Sequence, residues 1–167
     1  MLKHTKRLVA AAGVAAAAGA VVVAGLTAAS AAAPAGPGTE HFQIMTTSVT
    51  SNPGVIAYGA FTSAAVDHQH EAINKDTFTF PTGSFTISHS PGTGTHTLNP
   101  KTCLLTVSEH GTYTLGEGTG AYAGISGDGT YTLSIREIAA RSGSRCSMTA
   151  KPVAFQSIIN AQGPVEP

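Results

Sequence analysis

Asp67-His68-Gln69-His70-Glu71 sets two histidines two residues apart between acids. On a strand, alternate side chains share a face, so His68 and His70 would make a start on a transition-metal chelate. A competent site needs a third ligand, such as His41, His89 or His110, and groups that orient all three. The stretch also falls short of the metalloprotease motif H-E-x-x-H. Asn74 stands where the second histidine belongs, and the surrounding sequence has no helical character. The segment is strongly polar and joins two strand patterns, so it reads as a solvated connection. No metal or other cofactor is expected.

Two further residues are weak catalytic candidates. His89 follows Phe85 and Ile87 at period two, near the end of an apolar face. There it reads either as a hydrogen-bonded rim histidine or as a proton donor and acceptor tuned by burial. Glu109 follows Leu105 and Val107 in the same way, unless Gly111 marks a bulge that resets the register. An inward carboxylate is costly without a partner, which makes it an acid–base candidate. Tyr113 and Tyr131 belong first to apolar faces, with hydroxyls able to orient a ligand. His96 and His110 read as turn or rim residues. Strong catalytic motifs are absent. Gly124-Ile125-Ser126-Gly127 is followed by Asp128, where the hydrolase elbow G-x-S-x-G needs glycine, and no G-x-x-x-x-G-K occurs. Gly118-x-Gly120-x-x-Ala123 fits a dinucleotide fingerprint only in letters, because a strand follows it instead of a helix.

The ends of the chain set the compartment. Lys3, Lys6 and Arg7 precede an uncharged, alanine-rich run from Leu8 to Ala29, and Ala29-Ser30-Ala31 fits a small-residue cleavage site. Residues 1–31 therefore read as a signal peptide and the protein as secreted and extracellular. The alternative is a membrane anchor formed by an uncleaved segment. Cleavage leaves 136 residues, a single-domain length, and removes three basic residues, so six basic residues face nine acidic ones, a balance of −3. With its few cations scattered, the mature chain has no electrostatic footprint for nucleic acid and no basic amphipathic stretch for a membrane. Cys103 and Cys146 are the only cysteines. Outside the cell they are expected to pair, closing a 42-residue loop for a gain of about 4 kcal/mol.

Residues 32–39 read as a flexible leader, 40–163 as one β-domain and 164–167 as a tail. Ile125 to Ile138 alternates cleanly, with Tyr131, Leu133 and Ile135 on one face and Thr130, Thr132 and Ser134 on the other. Phe78 and Phe80 share a face, Pro81-Thr82-Gly83-Ser84 turns the chain, and Phe85, Ile87 and His89 line the return strand. Other strands are expected over Phe42 to Val49, Val55 to Phe61, Leu104 to Val107, Thr112 to Leu115 and Pro152 to Ala161. About eight strands in so short a chain, with nineteen glycines and no tryptophan, suit an antiparallel barrel or sandwich.

Gly118-Thr119-Gly120-Ala121-Tyr122-Ala123-Gly124, followed by Gly127-Asp128-Gly129, resembles a segment of the allene oxide cyclase-like and dirigent-like barrels. There a G-[GT]-[ST]-G-x-[FY]-x-G-type turn leads into a long strand. The stretches FPTGSFTISH, NPKTC and HGTY look like landmarks of small exported bacterial proteins of this type. The resemblance implies an all-β fold, a single eight-stranded antiparallel barrel of calycin-like form, with Tyr122 plugging one end. It also implies a cup for a small apolar molecule, which Phe78, Phe85, Ile87, Tyr113, Tyr131 and Leu133 would line. No catalytic residue of the plant proteins aligns here, so none is carried over. Three functions are expected, in descending order. The first is a barrel that binds a small hydrophobic molecule or serves as an extracellular structural module. The second is a cyclase- or isomerase-type enzyme working inside the cup, and the third a histidine-based metal binder.

Overall fold

The computed structural model describes the backbone of residues 35–72 and 74–167, and all of their side chains except those of residues 70–72. The expected signal peptide at 1–31 lies outside the described residues, as do residues 32–34 of the leader. Eleven strands follow in order: β1 (Gly38–Thr46), β2 (Gly54–Gly59), β3 (Ser63–Ala72), β4 (Lys75–Phe80), β5 (Gly83–His89), β6 (Thr93–Asn99), β7 (Leu104–Gly116), β8 (Ser126–Ile138), β9 (Ala140–Ser142), β10 (Arg145–Ser147) and β11 (Ala154–Glu166). A 3-10 turn, Gly120–Tyr122, sits between β7 and β8.

Eight of these close into an antiparallel barrel in the order β5-β4-β3-β2-β1-β11-β8-β7, with β7 returning to β5. Closure removes the unpaired edges that an open sheet would present. β6 carries β5 onward along the same side of β7. His89 lies opposite Tyr113 and Thr93 opposite His110, so Ser90 to Gly92 spend three residues against two on β7. That is a bulge, and it bends the strand. β11 pairs with β8 from Ala154 onward but meets β1 only from Ser157. The far halves of β7, β8 and β11, with β6, thus form a raised wall on one side of the barrel mouth.

The wall ends at the Cys103–Cys146 disulfide, which ties the β6–β7 turn to the β9–β10 ribbon. Cys103 is 1% exposed and holds a positive φ of 56°. Reduction is expected to lower unfolding free energy by about 2–3 kcal/mol, somewhat below the chain-entropy limit for a loop of this size. Urea melts with and without reductant check this, and a shift under 0.5 kcal/mol on the same scale would refute it.

The long strands follow the alternation legible in the sequence. Along β8, exposed and part-buried residues alternate without a break from Ser126 to Ile138. On β7 the alternation also runs through Gly111. The expected strands Leu104 to Val107 and Thr112 to Leu115 are therefore one element, and no reset occurs. The reason is a paired motif. Gly111-Thr112-Tyr113 on β7 lies antiparallel to Gly129-Thr130-Tyr131 on β8, so each tyrosine faces the other strand's glycine. A Cβ on Gly111 would come within 2.6 Å of the Tyr131 ring, and one on Gly129 within 2.7 Å of the Tyr113 hydroxyl oxygen. Each glycine is covered by an aromatic ring, which supplies the cross-strand packing that glycine lacks.

Sequence alone missed β3 and β6, and the last strand runs past the expected boundary at 163 to Glu166, with Val165 fully buried. β1 likewise begins inside the expected leader, at Gly38. The eight-strand barrel stands because merging two expected strands and adding β3 offset each other.

One end of the barrel is packed solid. Phe42, Phe61, Phe80, Phe85 and Tyr122 are each at most 4% exposed. The Tyr122 ring lies 4.8 Å from Phe80 and 5.4 Å from both Phe61 and Phe85. The 3-10 turn that carries it folds across the barrel end, held where the Ala121 N–H donates to the Thr82 carbonyl. These rings fill the lower half of the barrel and leave the upper half as a cup.

Candidate functional site: an acidic cup

The open end holds a cavity of about 500 Å³. Phe78, Ile87, Tyr113 and Ala161 form its floor, and Leu133, Ile135, Phe155 and Ile159 from β8 and β11 form an apolar wall. The β1–β2 loop overhangs it through Ser48, Val49 and Ser51. The size and the mixture of an apolar wall with a few convergent polar groups are those of small-molecule sites.

Asp67, Gln69, Asp76 and His89 lie on the opposite side, across β3, β4 and β5, while Glu109 on β7 and Tyr131 on β8 add polar groups next to the wall. Strand alternation carries Phe80, Phe78 and Asp76 along one inward face of β4, and Asp67 lies opposite Phe78 on β3. Both carboxylates line the cup. Asp67 is 1% exposed, and its Oδ1 has no hydrogen-bond partner. Burial pushes its pKa up to about 7, the charge of Asp76 adds to the rise, and a hydrogen bond from Gln69 opposes it. Burial and the neighbouring carboxylate both favour the neutral form of the Asp67 carboxyl.

Asp76 also faces His89. Its Oδ2 lies 3.4 Å from His89 Nε2, while His89 Nδ1 donates to the Ser90 carbonyl at 3.3 Å. The two ring nitrogens thus face a carboxylate and a backbone carbonyl, which fixes the orientation of the ring. The His89 ring meets Tyr131 edge-on at 6.1 Å, and the Tyr131 hydroxyl donates to the same Ser90 carbonyl at 2.9 Å. Tyr131 reaches across β7 to β5 over the space that Gly111 leaves. Burial, then the Glu109 charge, raise its pKa.

Glu109 faces inward opposite Leu133, and its Oε1 lies 2.5 Å from His96 Nε2 at the rim. Among the described residues, the cup is thus lined by three carboxylates (Asp67, Asp76 and Glu109) and one histidine, with no lysine or arginine. The nearest cation in sequence, Lys75, is engaged with Glu117 at 2.6 Å.

A fourth acid lies below the floor. Glu40 is fully buried and accepts from the Phe61 N–H at 2.9 Å through Oε2, while Oε1 has no partner. Burial pushes its pKa up to about 7 against the pull of the backbone N–H groups. Tyr113, between Glu40 and the cup, has its pKa pushed up to about 12, first by burial and then by the charges of Glu40 and Asp128.

Of the residues expected to line a cup, Phe78, Ile87, Tyr113, Tyr131 and Leu133 do so. Phe85 lies deeper, fully buried among Phe42, Phe78, Phe80 and Tyr122. His89 and Glu109 are at the mouth, as their register implies. The polar stretch at Asp67 is strand rather than a loop, and its inward residues are Asp67 and Gln69. His68 instead faces Asn52, with Nδ1 3.1 Å from Nδ2, and the His70 side chain lies outside the described residues. His41 stacks on Tyr58, and His110 sits beside Thr93 on exposed surface. Among the described residues, no three His, Cys, Asp or Glu side chains converge as a metal site.

Asp67, Asp76 and Glu40 carry the polar character of the interior and were missed as site residues. Their signal was register. Each of Glu40 and Asp76 stands two residues before a buried phenylalanine, Phe42 and Phe78, on the same face. No family model, curated protein sequence or solved structure matches this chain.

Proposed function

We propose that this protein is an exported barrel of the kind its glycine-rich turn resembles, and that its cup takes up a small, largely apolar molecule without transforming it. The observation that carries this reading is the half-filled interior. The aromatic plug already closes one end, so the 500 Å³ at the other is not needed to complete the core. Core interiors are otherwise packed to near-crystalline density, and an unfilled apolar wall forfeits dispersion contacts that a ligand restores. The disulfide is compatible with an oxidising, extracellular setting.

A neutral fluorescent reporter such as N-phenyl-1-naphthylamine tests it. Binding with enhanced fluorescence is expected, and Leu133→Trp, which fills the cup, should weaken it about tenfold or more while leaving the denaturation midpoint near that of the parent. No binding by the parent would leave the structural-module reading in its place.

A second reading, cyclase- or isomerase-type chemistry within the cup, draws support from the buried Asp67 and the adjacent Asp76–His89 pair. Such barrels can work by holding a reactive chain in one conformation while a single acid or base acts. Its signature is an occupant released with an altered structure but unchanged mass.

A further inference from the structure

Resting on the reading of the cup as a binding site, we infer that its ligand is a cationic amphiphile. An apolar chain would lie against Leu133, Ile135, Phe155 and Ile159, and a protonated amine head would lie between Asp67 and Asp76.

Three independent features converge on this. The first is the charge of the lining, which among the described residues holds Asp67, Asp76 and Glu109 but no lysine or arginine. A low-dielectric cleft lined by one sign of charge concentrates the opposite sign. The second is Asp67 itself. It is 1% exposed, lines the cup and leaves Oδ1 unpartnered. Buried acceptors are almost always paired, and one that is not marks a place where a donor gains an unusually favourable bond. Gln69, which lines the cup, bonds to Asp67 and still leaves Oδ1 for the head group. The third is spatial segregation. The pair Asp67 and Asp76 sits on β3 and β4, the apolar wall sits on β8 and β11 across the cup, and Glu109 on β7 stands at the rim beside Leu133. A molecule with a charged head and an apolar tail matches both sides at once.

The other groups facing the acid pair fit this assignment. Among the described residues, His89 is the only basic side chain in the lining, and it engages Asp76 from the β5 side at 3.4 Å. Asp67, with no basic partner among the described residues, is left to the head group. A carboxylate-headed lipid would instead bring a further acid against Asp67 and Asp76, which is repulsive at contact distance in a poorly solvated site. An alcohol donates one uncharged hydrogen bond and falls between the two.

The test compares decylamine, decanol and decanoate, which share a chain and differ in head group. Each displaces the fluorescent reporter from the intact, disulfide-closed protein at pH 8. Decylamine is expected to bind about tenfold or more tightly than decanol, one charge-assisted hydrogen bond being worth roughly that factor, and decanoate weakest. Asp67→Asn should erase the advantage of the amine while decanol binding persists. Decanoate equal to or tighter than decylamine would overturn the head-group assignment and leave the cup reading standing. An amine advantage that survives Asp67→Asn would overturn the role of Asp67. Failure of all three chains and of the reporter to bind would overturn the cup reading and this inference together. The head-group series on the parent protein is decisive even if the Asn variant does not fold.

Discussion

Tyr122→Ala is expected to lower the unfolding free energy by about 3–5 kcal/mol, the range for deleting a large aromatic from a packed core. Tyr122 is 1% exposed and touches three phenylalanine rings, so its removal leaves a cavity beneath a short turn that cannot collapse to fill it. The turn is held where backbone groups of Thr119 and Ala121 bond to Ser84 and Thr82, which fixes its height above the barrel end. The hydroxyl makes a second, opposite prediction. It is buried with no hydrogen-bond partner, so Tyr122→Phe removes a desolvated polar group and keeps the ring. That variant should be neutral or more stable by up to about 1 kcal/mol. Urea unfolding of both variants checks the pair. If Tyr122→Ala costs less than 1 kcal/mol on that scale, the ring is not the plug described above.

The protein is also expected to be more stable at pH 4.5 than at pH 8, by about 3–6 kcal/mol for Glu40 and Asp67 together. Both carboxyls are raised by burial to about 7, from ordinary values of 4.5 and 3.8. In the unfolded chain they ionise near those ordinary values. The folded state therefore holds two protons that the unfolded state has released across the interval between. Their contribution is fully present below the unfolded pKa values, declines as pH rises, and is lost once pH passes 7. The direction is opposite to that of a salt-bridged carboxylate, whose contribution disappears in acid. Glu40→Gln and Asp67→Asn each remove one ionisation, so each should flatten the profile and raise stability at pH 8. Urea midpoints at pH 4.5, 6 and 8 measure this. A profile that rises toward pH 8 would show that these groups are ionised without cost in the folded protein.

Both predictions arise from inward-facing residues, and the extent to which those were legible in sequence depended on contrast. β8 was readable from end to end because Tyr131, Leu133 and Ile135 alternate with Thr130, Thr132 and Ser134. β3 was not, because its outer face carries Val66, 44% exposed, and His68, while its inner face carries Asp67, 1% exposed, and Gln69. The usual hydrophobic-in, polar-out pattern is inverted over those residues, so period two leaves no trace in hydropathy. β6 fails for a different reason. All seven of its residues are exposed, and it is held by pairing to β7.

Local patterning by itself determined the β class, the disulfide and the inward register of His89. These follow from side-chain alternation, from turn residues and from a single possible cysteine pair, all of which act over a few residues or admit one answer. The tyrosine plug came from the resemblance carried by the stretch from Gly118 to Gly124, and the register of Glu109 stayed open until β7 was seen to run through Gly111. Tertiary structure decided which inward residues meet. Asp67, Asp76 and His89 come together only because β3, β4 and β5 pair in one register, and the apolar wall faces them only because β7 closes onto β5. An inward carboxylate is tolerable or ruinous according to what lies across the barrel, and closure, not local sequence, sets that distance.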